Sequence, residues 1–283
     1  MKKNELRNII LYKKYLSHNM HFKSDVGSSP PSFKYIVMWT PALGRLEKKI
    51  KKIDLINELH KIGLEKNMKI LLHVSLSKIG YLNNGPKDLI DAIEDIITTD
   101  GILVMTAYNS YGNFKPTLSI VNEYFRNQED VTCTNQIIAS FAVWGNQKGK
   151  IAANIEYTEE GLSFEAGEQS TLARLYENDG WSLFLGTDYS TCTILHLAEN
   201  RANWQSKIIF TEEFTTSEGN KIPFHDVVYQ DEDFNKIGLD FEKEFQNNPT
   251  VFRQGKLGNA ECKLINQKSF VDFAVSWMNK NRT

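Results

Sequence analysis

Short apolar runs and amphipathic segments alternate along the chain from residue 54 onward. Apolar runs between polar turns are typical of buried strands, and apolar residues that recur every three or four positions are typical of helices. The pattern predicts strands at 69–74, 101–108, 140–145, 181–187 and 262–267, and helices at 54–65, 86–97 and 268–280. Because strands separated by helices build layered domains, we predict an α/β fold with helices on both faces of the sheet.

Two regions interrupt this alternation. Residues 1–52 contain a Gly/Ser/Pro-rich stretch at 25–32 and a charged stretch at 45–52, which predicts an N-terminal extension with little independent structure. Residues 53–283 then form the functional domain. Between 206 and 260 the chain is more polar and less regular, and this pattern leaves room for antiparallel strands in a mixed sheet.

The composition narrows the classes of function. The 283 residues are 41% hydrophobic and 24% charged, as in ordinary globular proteins. With 33 basic and 35 acidic residues and no basic block, the chain is not expected to bind nucleic acid. The three scattered cysteines predict neither a disulfide framework nor a C-x-x-C metal site, and no apolar stretch is long enough for a signal peptide or a membrane span. We therefore expect a cytoplasmic protein without a membrane partner.

The first candidate site lies in WSLFLGTDYSTCTILHLAEN, where a predicted strand ends and a helix follows. If Ser190 or Thr191 caps that helix, a spacing of three places Thr193, His196 and Glu199 in one row. The positive end of the helix favours a neutral imidazole that can accept a proton, and Glu199 can orient the ring. Free N–H groups and the Thr193 hydroxyl can stabilise negative charge on a reacting carbonyl.

Two other interpretations of this row stay open. A helical histidine with a carboxylate three residues later is more often a structural pair than a catalytic one. A His-x-x-Glu pair also occurs in di-iron bundles, but those need a second copy and two further Glu-bearing helices, which this sequence lacks. We therefore predict no metal.

The second candidate site lies in LLHVSLSKIGYLNNGP at 71–86, a predicted strand followed by a turn rich in serine, asparagine and glycine. Loops at the carboxyl ends of strands bind ligands in open α/β sheets. The segment has neither a G-x-x-x-x-G-K-[ST] phosphate loop nor a G-x-G-x-x-G dinucleotide turn, and the chain has no G-x-S-x-G nucleophile elbow. Turn formation explains Ser75 and Ser77 equally well, and packing within the strand explains His73.

Several segments, taken in order, resemble the aminoglycoside 3-N-acetyltransferase family. They are LLHVSLSKIGYLNNGPKDLIDAIEDII, DGILVMTAY, SFAVWG, STLARLYENDGWSLFLGTDYSTCTILHLAE and GKLGNAECKLINQKSFVDFAVSW, and the resemblance extends over about 54–279. It implies a three-layer α/β/α sandwich around a mixed sheet. It also implies an N-acyltransferase that moves an acetyl group from acetyl-coenzyme A directly to a small-molecule amine, without a metal.

The same resemblance assigns roles to individual residues. His196 matches the family's general base and Thr193 a threonine near the reacting sulfur and carbonyl, and with Glu199 they form the predicted catalytic set. The segment His73-Val74-Ser75-Leu76 matches a His-Ser-Ser-Leu loop that contacts the coenzyme. The predicted coenzyme-binding residues are His73, Ser75, Leu76, Ser77 and Gly85.

The chain also departs from the family pattern. Where members carry His-Pro-x-His before Ser-Phe-Ala-Ala, this chain has Gln136, Ile137 and Ala139, and Cys192 replaces the usual asparagine before Thr193. Tyr229 falls where some aminoglycoside-modifying members have a glutamate. The acidic residues near it are most simply interpreted as part of a solvated loop. The predicted substrate-binding residues are Tyr108, Tyr229 and Asp226.

These departures leave three functions open. The first is N-acetylation of an amino sugar that is not a drug, such as a nucleotide-linked or polysaccharide-precursor sugar. The second is an aminoglycoside 3-N-acetyltransferase that confers antibiotic resistance. The third is a degenerate relative that binds a ligand or partner without catalysis. The expected partners are the amine substrate and coenzyme A, and a homodimer is left open.

Overall fold

The computed structural model describes residues 49–108, 119–137, 139–155, 164–215, 219 and 221–283. The predicted N-terminal extension, 1–52, lies outside the described residues except for its last four positions, so it stays a prediction. Residues Lys49–Thr283 form one structural unit.

The described residues form nine strands, and the longer apolar runs coincide with most of them. The strands are β1 (Lys69–Val74), β2 (Ile102–Thr106), β3 (Thr132–Cys133), β4 (Phe141–Trp144), β5 (Trp181–Leu185), β6 (Ile209–Thr215), β7 (Lys221–Val227), β8 (Phe252–Leu257) and β9 (Ala260–Asn266).

The helices of the described residues lie between these strands and at both ends of the unit. They are α1 (Lys52–Ile62), α2 (Leu76–Ile79), α3 (Pro86–Ile97), α4 (Ile120–Arg126), α5 (Lys148–Ile151), α6 (Thr171–Glu177), α7 (Leu195–Arg201), α8 (Phe234–Phe245) and α9 (Gln267–Asn281), with 3-10 turns at Tyr189–Thr191 and Asp231–Asp233.

Seven of these strands form one mixed sheet in the order β3-β4-β2-β1-β5-β9-β8. The central strand β1 runs parallel to β2 and β5, whereas the outer strands pair antiparallel. Strands β6 and β7 form a separate antiparallel hairpin. The mixed sheet agrees with the prediction, and its three central parallel strands end at one common edge.

Side chains of successive strand residues enter two different cores. Ile70 and Leu72 of β1 pack with the core that α1, α3 and α4 cover, whereas Leu71 packs with the core that α6 to α9 cover. Successive residues of a strand point to opposite faces of a sheet, so helices cover both faces. The predicted three-layer α/β/α architecture is confirmed.

Some local predictions need correction. The first helix was predicted to begin at Asp54, but α1 begins at Lys52. The Asp54 carboxylate accepts the backbone N–H of Lys51 at 3.2 Å, as the third residue of a capping box does. Helix α3 begins at Pro86, as predicted. The 206–260 region holds the expected antiparallel strands, but it also holds α8, which the sequence pattern did not predict.

Glu94 on α3 makes the stability of the fold depend on pH. Burial raises the pKa of its carboxyl to about 7, and Asp91 and Asp95 add to that rise. A carboxyl whose pKa is raised by folding binds more protons when folded, so stability falls as pH rises from about 5 to about 7. We expect Glu94→Gln to raise the free energy of unfolding by about 1–2 kcal/mol at pH 8, after allowance for partial exposure, and to change it little at pH 4.5.

Urea unfolding at the two pH values measures this difference. Glu244→Gln on α8 is the matched control, because the Glu244 side chain is exposed and lies on a different helix. Its effect on stability is expected to be small and nearly independent of pH. An equal gain from Glu94→Gln at both pH values would contradict the prediction.

Candidate active site

The loops after β1 and β5 form one edge of the sheet, and both candidate segments lie on them. The Ser75 N–H donates to the Leu185 carbonyl at 2.9 Å, and the Thr187 hydroxyl lies 3.5 Å from the His73 carbonyl. These bonds join the predicted coenzyme loop to the turn that leads into α7. Tyr108 follows β2 at the same edge, on the other side of β1.

The turn before α7 is built differently from the prediction. Asp188, rather than Ser190 or Thr191, caps the 3-10 turn, since its carboxylate accepts the Ser190 N–H at 3.0 Å and the Ser190 hydroxyl as well. These bonds lower the pKa of the Asp188 carboxyl. Helix α7 itself begins only at Leu195. His196 therefore lies in the first turn of its helix, whereas a cap at Ser190 or Thr191 would have placed it about a turn and a half inside.

A glycine in α8 sets the position of that turn. A Cβ at Gly238 would lie only 2.1 Å from the Tyr189 ring, so the helix packs directly on this ring. Tyr189 is buried, and its hydroxyl donates to the Glu242 carboxylate of α8 at 2.7 Å. Helix α8 thus packs against the turn that leads into α7.

His196 and Glu199 form the polar centre of the site. The His196 Nδ1 lies 2.8 Å from the Glu199 Oε2, and the histidine side chain is 20% exposed whereas that of Glu199 is 0% exposed. Because an ionised carboxylate only accepts hydrogen bonds, it holds the tautomer with the proton on Nδ1. Nε2 then carries the lone pair and can take a proton from a ligand.

Two aromatic rings fix the plane of this imidazole. The Tyr229 ring centroid lies 4.3 Å from that of His196, and the Phe234 centroid lies 5.2 Å away. The rings come from the segment after β7 and from the start of α8. They restrict ring rotation, so the direction of Nε2 is set by packing as well as by Glu199.

Glu199 is held from three sides. Its Oε1 accepts the Gln230 N–H at 2.7 Å and the Arg282 Nη1–H at 2.9 Å, while Oε2 faces His196. Arg282 is 5% exposed. The sequence pattern missed Gln230, Phe234 and Arg282, because contacts between residues far apart in the chain leave no periodic signal.

Asp226 lies behind Tyr229 and does not reach the surface. It is fully buried, and both of its carboxyl oxygens lie 2.8 Å from the Tyr229 hydroxyl. Burial, together with nearby Glu165, raises the pKa of the Asp226 carboxyl well above its ordinary value. Its predicted direct contact with substrate is therefore not available in this structure. Asp226 instead accepts the Tyr229 hydroxyl, and the Tyr229 ring lies against His196.

The segment that departs from the family's histidine motif is buried and held by hydrogen bonds. Ile137 and Gln136 are buried, and the Gln136 amide donates to the Ala153 carbonyl at 2.7 Å. The buried Glu165 carboxylate accepts the backbone N–H of Ile137 and, at 2.7 Å, that of Ala139. Buried carboxylate bonds of this kind hold a loop in one conformation.

Most of the predicted coenzyme residues lie at the end of β1 and in the turn after it. His73 is buried and stacked on Phe184 at 4.8 Å, burial lowers its pKa to about 3, and its Nε2 has no hydrogen-bond partner among the residues that the structure describes. Ser75 immediately precedes α2, and its hydroxyl lies 3.5 Å from that of Ser77. Leu76 is half-buried beside them.

The remaining predicted site residues are Thr193, Gly85 and Tyr108. Thr193 is half-buried one turn before His196, and its carbonyl accepts the His196 N–H at 3.1 Å. Gly85 precedes α3 with a φ of 61°, a backbone conformation that favours glycine. Tyr108 has a φ of 45°, and burial raises the pKa of its phenol. Within the described residues there is no cluster of three or more His, Cys, Asp or Glu side chains suited to a metal ion.

Comparison with known families decides how this site is classified. The family model described as aminoglycoside 3-N-acetyltransferase matches residues 71–279. The chain belongs to this family. The match extends from Leu71 in β1 to Asn279 in α9 and so includes His196, the turn after β1, Gln136 and Ala139. Both the predicted family and the predicted class, an N-acyltransferase, are confirmed.

Individual relatives of the aminoglycoside 3-N-acetyltransferase family agree with this assignment. The SPbeta prophage-derived aminoglycoside N(3')-acetyltransferase-like protein YokD of Bacillus subtilis (strain 168) is 32% identical over 265 residues, covering 81% of this chain and 93% of that protein. Its crystal structure matches with a TM-score of 0.70 at 28% identity, covering 82% of this chain and 99% of that chain. AAC-IIIb bound to CoASH has the same fold, with a TM-score of 0.70 at 22% identity over 82% of this chain and 97% of that one.

No helix among the described residues is both long and apolar enough to span a bilayer.

Proposed function

We propose that this protein is an acetyl-coenzyme A-dependent N-acetyltransferase whose acceptor is an amino group of an aminoglycoside. The observation that carries the proposal is the His196–Glu199 pair, in which a fully buried carboxylate holds Nδ1 at 2.8 Å and leaves Nε2 at a partly exposed position. Membership of the family, and relatives named as aminoglycoside acetyltransferases, support the choice of acceptor.

The chemistry requires a base of this kind. An amine is mostly protonated at neutral pH, and it attacks a carbonyl only after it has lost a proton. In the proposed transfer, Nε2 of His196 takes the proton as the amine nitrogen forms its bond to the acetyl carbon and the carbon–sulfur bond breaks. The imidazolium is stabilised by Glu199 and then returns the proton to the leaving sulfur. The products are an amide and free thiol.

The turn after β1 fits a coenzyme that carries phosphate groups. The Ser75 and Ser77 hydroxyls lie 3.5 Å apart there, and the exposed Lys78 is the next residue in the chain. Hydroxyl and ammonium donors suit phosphate oxygens. The unpartnered Nε2 of His73 is a further polar atom that a bound ligand can satisfy. In the proposal these residues hold acetyl-coenzyme A, which supplies the activated thioester. The Thr193 hydroxyl stabilises the negative charge that develops on its carbonyl oxygen.

A second candidate acceptor is an amino sugar with fewer positive charges. It is favoured by Gln136 and Ala139, which stand where family members carry two histidines, and by Tyr229, which lies beside the base where some members carry a glutamate. The Asp226 carboxyl is also fully buried, so it does not face a polycationic drug at the surface. The two candidates share the base and the donor and differ only in the acceptor.

The acceptor prediction is tested with the purified chain, acetyl-coenzyme A and two matched sets of amines. We expect a deoxystreptamine aminoglycoside to release free thiol at a rate well above that of hydrolysis without acceptor, and a host that expresses the protein to tolerate more of that drug. Mass spectrometry of the product, which should gain one acetyl group, distinguishes transfer from hydrolysis.

Nucleotide-linked and free amino sugars form the second set in the same assay. Faster turnover of these sugars than of every aminoglycoside would replace the first candidate with the second. If the folded protein released no thiol with either set of amines, the proposed function would be contradicted altogether.

A further inference from the structure

Arg282 connects the base pair to a second carboxylate. Its Nη1 donates to the Glu199 Oε1 at 2.9 Å, and its Nε and Nη2 donate to the two oxygens of Asp233 at 2.8 and 2.6 Å. Nη2 also donates to the Gln230 carbonyl at 2.5 Å, and the guanidinium lies 4.8 Å from the Trp204 ring centroid. Nearly every N–H group of the buried Arg282 guanidinium therefore has an acceptor, and this arrangement makes a buried ion pair stable.

We propose that Arg282 is a positioning residue that keeps the His196–Glu199 pair free of an extra proton at neutral pH. This proposal rests on the proposed function, because that function assigns His196 as the base of the transfer. Arg282 does not touch the acceptor or the reacting atoms in this arrangement. It acts on the base only through Glu199.

Charge balance explains why the cation is needed. With His196 neutral, Glu199 and Asp233 carry two negative charges and Arg282 one positive charge, and uptake of the amine's proton by His196 brings the group to neutrality. Without Arg282, a fully buried carboxylate would face fewer donors, and the pair would bind a proton more tightly. That proton blocks the base in either location. On His196 it occupies Nε2, and on Glu199 it forces the imidazole into the tautomer with Nε2–H.

The other charged and titratable groups around the pair do not replace this cation. Lys207, which follows α7, interacts with Glu199 electrostatically, but its ammonium donates to the Asn200 and Ala202 carbonyls at 2.7 and 2.8 Å. Tyr229 faces the ring from the segment after β7 and is bonded to Asp226. Asp233, at the start of α8, faces Glu199 only across Arg282 and is an anion.

The test compares Arg282→Met, Arg282→Lys and the control Arg201→Met. Arg201 is on α7, forms a two-pronged pair with Glu168 at 2.7 and 2.8 Å and lies over the Tyr176 ring, but it does not contact Glu199. In Arg282→Met, the pH at which kcat/KM rises to half its maximum should move up by about 1 unit, and kcat at neutral pH should fall by up to about tenfold with little change in KM. Arg282→Lys should shift less, and Arg201→Met should not shift.

Two further measurements separate positioning from a loss of folding. Guanidinium ion at non-denaturing concentration should restore part of the activity of Arg282→Met, whereas urea should not. The NMR titration of the His196 ring, assigned by its absence in His196→Asn, should show the same upward shift without any acceptor present. If Arg282→Met does not fold, Arg282→Lys carries the same comparison.

The outcomes are separable. An unchanged pH profile and an unchanged His196 titration in the folded Arg282 variants would overturn the role of Arg282, even if transfer itself is efficient. A wild-type protein that acetylates no acceptor would overturn the proposed function, while the NMR titration still measures the effect of Arg282 on the pair. An equal shift in Arg201→Met would also overturn the assignment.

Discussion

His196→Asn is expected to lower kcat about 10²–10⁴-fold, which is the range in which general base catalysis contributes. Asparagine keeps a polar side chain near Glu199, but it cannot take a proton from the amine. The proposed coenzyme residues lie at the end of β1 and in the turn after it, so the KM for acetyl-coenzyme A should change little. Thiol release and a coenzyme-binding titration, run on the same preparation, measure the two quantities.

His225→Asn is the matched control for that prediction. His225 lies on the β6–β7 hairpin, where its Nδ1 lies 2.8 Å from the Thr211 hydroxyl. The same chemical change there should leave kcat near its original value. If His196→Asn retained most of its kcat while remaining folded, His196 would not be the base.

Glu199→Gln should reduce both activity and stability. The amide can offer an N–H to the imidazole and so favour the tautomer with a proton on Nε2, which cannot act as a base, and we expect a loss in kcat of about 10²–10⁴-fold. The substitution also leaves Arg282 with one carboxylate instead of two in a buried setting. Breaking a buried pair is strongly destabilising, so the free energy of unfolding should fall by about 3 kcal/mol. Kinetics and urea unfolding measure the two effects.

Glu168→Gln is the corresponding control. Glu168 makes a comparable pair with Arg201, but its side chain is 62% exposed. Exposed pairs contribute about 0–1 kcal/mol, so this variant should lose little stability and keep its activity. Equal destabilisation by both variants would show that burial of Glu199 is not the cause of its effect.

The central strands were predictable because their apolar runs are short and sharply bounded. The prediction at 69–74 coincides with β1 (Lys69–Val74), where buried residues face a core on either side. Helix α8 was missed although Phe234, Ile237 and Phe241 have helical spacing. An acidic run before it and a glycine within it weaken the local helix signal, and packing against Tyr189 compensates in the folded protein.

The site was predictable only as far as its parts are local. His196 and Glu199 are three residues apart on one helix, so their contact follows from helix geometry. Arg282 meets Glu199 from 83 residues away, a contact that only the folded chain creates. The cap before α7 was misplaced because Asp188 supplied an earlier acceptor than Ser190 or Thr191. Asp226 was taken for a surface residue because sequence alone does not show which acidic side chains are covered.

Gly238 complicates any attempt to make this protein more heat-resistant. A glycine inside a helix costs about 0.5–1 kcal/mol relative to alanine, so a stabilisation protocol would select it early for replacement. Here the missing methyl group is what allows α8 to lie flat on Tyr189. Libraries built to raise the melting temperature should therefore hold this position constant and look for gains on the outer surfaces of α1 and α3.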